Sequence, residues 1–213
     1  YLAIHGGFSL SSWLNSNSTN QKAHAGGWNG RSLQKGDVIE CKNDVSITDE
    51  TKIFPWRANV FDFYKDAENI RTLRGFEFDW LHSSSQEMLM KEFFTMTPLR
   101  DRMGYRLKAE VLSRQHGELI STSATFGTVE HLPDGQLIIL TADHQTTGGY
   151  PRVAQVIAAH RSKLVQINVG ERVSFQEISL QEAEDLLLLQ RKMLKQIQVT
   201  CTVHLKEFFN PSR

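Results

Sequence analysis

Gln136-Leu137-Ile138-Ile139-Leu140-Thr141-Ala142 runs directly into Asp143-His144-Gln145-Thr146-Thr147-Gly148-Gly149-Tyr150-Pro151. The first seven residues are short, nearly all apolar and rich in β-branched side chains, which suits a strand buried on both faces. The next stretch is polar and glycine-rich, and residues 153–158 return to an apolar strand pattern. A polar loop between two buried strands places its side chains at one end of a sheet. Two adjacent glycines there permit backbone shapes closed to other residues.

Outward from this stretch the same grammar repeats. Residues 1–5, 37–41, 70–73, 105–112, 163–167 and 171–178 read as further short strands between glycine-rich turns. Two helices interrupt them. Ser84-Ser85-Gln86-Glu87 has capping-box form and leads into residues 88–94; Ser179-Leu180-Gln181-Glu182 is a second capping box, opening a helix to about Gln198. In the latter, Ala183, Leu186, Leu187, Leu194 and Ile197 recur at helical spacing, as for a helix packed over a sheet. The expected class is mainly β with a few covering helices. Leu33-Gln34-Lys35-Gly36-Asp37-Val38-Ile39 is echoed by Ile167-Asn168-Val169-Gly170-Glu171-Arg172-Val173, which suggests two related β lobes. Residues 41–69 turn polar and carry Pro55, so the lobe boundary is placed there, giving lobes of residues 1–68 and 69–213.

The bulk numbers exclude several classes. The chain has 213 residues, 24 Lys plus Arg and 24 Asp plus Glu, hence no net charge. That argues against a nucleic-acid binder or a polybasic membrane surface. No apolar run approaches the ~20 residues of a transmembrane helix, and no signal peptide is visible. Cys41 and Cys201 form no metal or disulfide pattern, and the eight histidines have no ligand spacing, so no metal is expected. A reducing cytoplasm is the expected location. The chain opens at Tyr1 inside a strand-like run, so an upstream segment is expected to precede it; Phe208-Phe209-Asn210-Pro211-Ser212-Arg213 reads as an end.

Three segments can carry chemistry. In residues 142–151 the glycines can aim successive N–H groups at an anion, Thr146 and Thr147 add hydroxyls, Gln145 adds an amide, and Asp143 can act as a general base or orient a neighbour. A polar hairpin is the alternative. Arg102 and Arg106, flanking Gly104 and Tyr105, offer fork-shaped donors for carboxylate or phosphate, or are surface arginines before a strand. His24-Ala25-Gly26-Gly27-Trp28-Asn29-Gly30-Arg31 is either a ligand-covering loop or a plain connection. No P-loop, H-E-x-x-H or G-x-S-x-G is present.

At these residues the sequence resembles the urea amidolyase C-terminal family, which includes KipA, the corresponding subunit of bacterial 5-oxoprolinase and the carboxyltransferase part of urea carboxylase. The family's R-M-G-Y-R-L stands as Arg102 to Leu107 and its A-D-x-Q-T-T-G-G-Y-P as Ala142 to Pro151, with His144 where an Arg is usual. Its G-G-x-x-G-R-x-L-x-x-G-D stands intact in Gly26, Gly27, Gly30, Arg31, Leu33, Gly36 and Asp37, and its D-W as Asp79-Trp80. Asn15-Ser16-Asn17-Ser18-Thr19 replaces a G-S-R-S-T, and Glu130 stands where a Gln is usual; both make the expected pocket less positive.

The resemblance implies cyclophilin-like β-barrel lobes, the first of them partial. It implies the KipA-like subunit of an ATP-dependent 5-oxoprolinase that opens 5-oxoproline to glutamate, active only in a complex. It implies two partners, a KipI-type protein and a third oxoprolinase subunit. ATP is then the cofactor, held by the complex. Asp143 and Arg102 become the expected catalytic residues; Gln145, Thr146, Thr147, Gly148, Gly149, Tyr150, Tyr105 and Arg31 the expected substrate-binding ones. Two alternatives stay open: a biotin-dependent carboxyl transfer to urea, and a KipA-like antagonist that binds a kinase-inhibitor protein without turnover.

Overall fold

The computed structural model describes residues 4, 6–42, 56–60, 63–117 and 119–209. The expected strand at 1–5 lies outside these apart from Ile4. The chain forms two compact units, residues 1–55 and 56–213.

The larger unit is built on a closed seven-stranded barrel. Its strands are β1 (Asn69–Arg74), β2 (Phe94–Arg100), β3 (Gly104–Lys108), β5 (Thr128–His131), β6 (Leu137–Leu140), β8 (Arg152–Val156) and β9 (Arg172–Glu177), in the order β1-β8-β5-β6-β3-β2-β9. Two short strands, β4 (Thr122–Ser123) and β7 (Thr147–Gly148), pair as a separate ladder. All barrel pairs are antiparallel except β1 with β9, whose parallel pairing from Asn69↔Ser174 to Thr72↔Glu177 closes the cylinder. Alternation along each strand sends one face inward. Ile70, Met96, Leu107, Val129, Leu137, Ile139, Val153, Val173 and Phe175 fill one core with almost no exposure.

Helix α1 (Ser83–Lys91) takes His82, not Ser84, as its N-cap, with no side-chain cap bond, and it ends at Lys91 rather than near Phe94. The capping box is displaced by tertiary anchors: the Ser113 N–H donates to the buried Ser85 hydroxyl (2.8 Å) and the Gln86 amide to Leu81 O (3.0 Å). Glu87 pairs with Lys91 instead. The second box forms as read. The Ser179 N–H and hydroxyl both donate to Glu182 (2.8 Å each), and the Glu182 N–H returns to Ser179 Oγ (3.2 Å). Its helix, α3 (Leu180–Phe209), is 30 residues long and passes the expected end at Gln198. There Thr200 and Thr202 satisfy their hydroxyls on carbonyls one turn back, and His204 lies against Trp56, ring centroids 5.0 Å apart.

Three expected strands differ. Residues 163–167 are not a strand; α2 (Arg161–Leu164) and the turn after it carry Leu164 and Ile167 into the core on one side. That i, i+3 spacing is helical, and the β-branched run concealed it. Residues 37–41 form no strand beyond a single bridge from Cys41 to Phe8, and Val38 is exposed. Strand β3 stops at Lys108 rather than running to 112, because the Gln136 side-chain amide takes over both backbone bonds of Ala109 (3.2 and 3.3 Å).

In the smaller unit the described residues are joined by isolated bridges, Ser11↔Gly27, Trp13↔Ser16 and Asn20↔Ala25 among them. Gly27 and Gly30 have positive φ, and a Cβ on either would lie within 2.2 Å of Thr19 or His24. The repeated Gly-acid segment is one turn built twice. The Gln34 N–H donates to Asp37 and the Asn168 N–H to Glu171, each at 2.7 Å, across Gly36 and Gly170 at φ 98° and 87°.

Candidate functional site

Residues 141–151 leave β6 at one end of the barrel, as their position after a buried strand requires. Arg102 and Asp143 meet in a bidentate pair, Nε to Oδ2 at 2.6 Å and Nη2 to Oδ1 at 2.9 Å, and the Asp143 N–H donates to Arg102 O (2.6 Å). Both side chains are largely exposed, and the Asp143 carboxylate beside it holds the Arg102 guanidinium charged even more firmly than usual. The turn falls at Ala142–Asp143, not at the glycines. Gln145, Thr146 and Thr147 are exposed, while Gly148, Gly149 and Tyr150 are half-buried.

The glycine pair serves close approach rather than an anion nest. Neither Gly148 nor Gly149 has a positive φ; Gly148 is a strand residue opposite Thr122. A Cβ on Gly148 would lie 2.9 Å from Glu130 Oε1 and 3.6 Å from Gln145 Nε2, and one on Gly149 would lie 3.1 Å from Leu119 O. Beneath the loop, then, lies a carboxyl. Glu130 follows the core residue Val129 on β5, so it faces the other way, against the β4–β7 ladder, and is 1% exposed. Burial pushes its carboxyl above the usual range, against the pull of Arg152 and then His144. The sequence marked Glu130 only as an acid that makes the expected pocket less positive, and not as a catalytic or binding residue.

Beside Glu130 in the β5–β8 register stands Arg152, which is already engaged. Its Nε and Nη2 donate to the two oxygens of Glu77 (2.9 and 2.8 Å) and its Nη1 to Ser123 O (3.1 Å). This pair, also missed from sequence, ties the turn after β1 to β8. Tyr105 lies in the barrel wall, buried under the Arg100 guanidinium, 4.4 Å from the ring centroid. Arg31 belongs to the smaller unit, where both its terminal nitrogens bond Asp37 (2.8 and 2.7 Å) and hold that carboxyl far below its ordinary range.

A model of the carboxyltransferase domain, subdomains A and B, matches residues 1–177. The chain belongs to this carboxyltransferase family. Among curated relatives of the family, a 5-oxoprolinase subunit of Haemophilus influenzae is 39% identical over 93% of this chain and 62% of its own length. The Escherichia coli protein of the same name is 35% identical over 86% of this chain and 57% of its own. The chain thus spans about three-fifths of these relatives. The crystal structure of Kluyveromyces lactis urea carboxylase superposes with a TM-score of 0.74 over 92% of this chain and 19% of that one, at 22% identity, which shows a shared fold.

Family membership supports an enzymatic role of the carboxyltransferase type. The loop as folded does not fit the triphosphate of ATP: its glycines form strand, not a phosphate cradle, and its floor is an acid. Among the described residues no three His, Cys, Asp or Glu side chains gather as a metal site, and no helix is long and apolar enough to cross a membrane.

Proposed function

We propose that this chain is the carboxyltransferase-family part of the KipA-like subunit of a 5-oxoprolinase, which opens the lactam of 5-oxoproline to glutamate within a heteromeric cytoplasmic complex. The 39% identity to a 5-oxoprolinase subunit across almost the whole chain carries the reading. ATP consumption belongs, on this reading, to the KipI-type partner and the third subunit, since the loop here does not suit a triphosphate. The larger unit is taken as the cyclophilin-like lobe and the smaller as the partial first lobe.

Within the site, Arg102 is the group that meets the substrate carboxylate. In the free chain its fork is closed on Asp143. A substrate carboxylate that takes over the fork releases Asp143 to orient or deprotonate the attacking water. Gln145, Thr146 and Thr147 supply neutral donors beside it, and Gly148, Gly149 and Tyr150 shape the wall. Tyr105 remains the outer member of the proposed binding set.

The test is the full-length protein assembled with its two partners. 5-Oxoproline should stimulate ATP hydrolysis with glutamate formed in step. Asp143→Asn and Arg102→Ala should each lower glutamate formation by about 10²-fold or more. Unchanged activity in both variants overturns the assignment of the site.

The likeness to a putative urea carboxylase of Emericella nidulans, 26% identical over 85% of this chain, supports a second reading: carboxyl transfer to urea from a biotin carrier. Biotin-dependent urea consumption by the same complex, without glutamate, would replace the first reading with this one.

A further inference from the structure

Glu130 has an environment that the Arg102–Asp143 chemistry does not use. Both of its oxygens are fully buried without a hydrogen-bond partner in the protein, and so is the hydroxyl of Thr122. The two sites adjoin, because Thr122 pairs with Gly148 and Gly148 lies against the Glu130 carboxyl. Leaving such groups unsatisfied costs about 1–3 kcal/mol each, so their retention beneath a signature loop points to a ligand. The cover over them is thin: a ladder of two residues per strand, with no side chain at Gly148 or Gly149. A cover with so few contacts opens at low cost.

The chemistry of the floor selects the ligand. Arg152 stands beside Glu130 with its fork filled by Glu77 and Ser123, and His144 stands above with Nδ1 on Gln145 O (2.6 Å). A ligand cation would meet these two groups, and an anion would meet the carboxyl. An un-ionised carboxyl presents one O–H donor and one carbonyl acceptor side by side. Its complement is a neutral group with C=O and N–H on one edge. A lactam, whose amide is locked cis by its ring, has that edge, and so does a urea.

We propose that Glu130, as a carboxylic acid, is the floor of a ligand site beneath the Thr147–Gly148 strand and grips the cis amide edge of a lactam or urea. Its O–H donates to the ligand carbonyl and its own carbonyl accepts the ligand N–H, with the Thr122 hydroxyl a third contact. This rests on the reading of residues 142–151 as the substrate loop. Burial without a hydrogen-bond partner favours the un-ionised acid and raises its pKa above the ordinary carboxylate range, and Arg152 and His144 are the charged or titratable groups that face it.

The experiment titrates the assembled full-length complex with 5-oxoproline and, separately, with urea, by calorimetry from about pH 6 to about pH 9. The wild-type complex should bind one of the two, with affinity falling about tenfold per pH unit once Glu130 ionises. Glu130→Gln, which offers the same donor and acceptor without a titrating proton, should bind with no such alkaline fall. Glu130→Leu should weaken binding by at least about 30-fold while melting no lower than wild type, since it removes an unsatisfied polar group. His144→Gln should keep the alkaline fall, at a pH no lower than in the wild type. The inference is overturned if Glu130→Leu binds like wild type, if Glu130→Gln keeps the alkaline fall, or if neither ligand binds the wild-type complex. Glu130-dependent binding of urea without glutamate formation upholds it and removes the oxoprolinase reading. Turnover of 5-oxoproline indifferent to Glu130→Leu does the reverse.

Discussion

Two arginine–carboxylate pairs of like geometry have opposite meanings, and exposure separates them. Arg102 and Asp143 are 74% and 50% exposed, Arg152 and Glu77 only 16% and 10%. An exposed pair is worth at most about 1 kcal/mol, so Asp143→Asn should leave the urea-denaturation midpoint nearly unmoved and any loss of activity would be chemical. Removing one member of a buried pair strands the other, at about 3–5 kcal/mol. Glu77→Ala should therefore lower the midpoint sharply. Burial raises the Glu77 carboxyl and the bonds from Arg152 outweigh it, for a net fall below the ordinary range. A depressed carboxylate stabilises the fold fully above its unfolded pKa and loses that contribution as pH falls through the folded value. Wild type should weaken in acid over that interval, and Glu77→Ala should weaken less steeply.

At the scale of elements, the barrel turns on a crossing of backbones. After β1 the chain passes so close to β8 that a Cβ on Gly75 would lie 2.1 Å from Arg152 O and 2.5 Å from the Val153 carbonyl carbon. Neither atom can move without breaking the bonds from the N–H groups of Gly75 and Glu77 to Val153 and Arg152 (3.1 Å each). Gly75→Ala should cost more than about 2 kcal/mol in thermal unfolding and disturb the Glu77–Arg152 pair with it. Nothing in the sequence marks Gly75 above its neighbours, because its constraint comes from residues far along the chain. What was legible was local. The apolar run of β6, the alternation of β9 and the Ser179 capping box need only their own residues. The α2 segment failed because Val165 and Ile167 gave a strand's composition to a helix's spacing. The site divides the same way: the 142–151 loop and the Arg102 segment were each readable as a motif, whereas the Arg102–Asp143 pairing and the Glu130 floor exist only once the strands are set side by side.

For the whole molecule the decisive fact is closure. Every barrel strand has a neighbour on both sides, and all seven strands and the entire main core lie between Asn69 and Glu177. A barrel so closed leaves no open edge to template aggregation. It also sets Arg102 against Asp143, and Arg152 beside both Glu130 and Glu77. Residues 56–213 expressed alone should therefore fold, unfold in one cooperative transition and keep near-ultraviolet ellipticity from the core aromatics Phe94, Tyr105 and Phe175. Folding should be slow, because the closing β1–β9 pair joins the first strand of the unit to the last barrel strand, and that loop must be ordered before the pairing rewards it. A broad transition with no near-ultraviolet signal would show that residues 1–55 contribute to the barrel's stability. A sharp one would place the barrel's stability within residues 56–213.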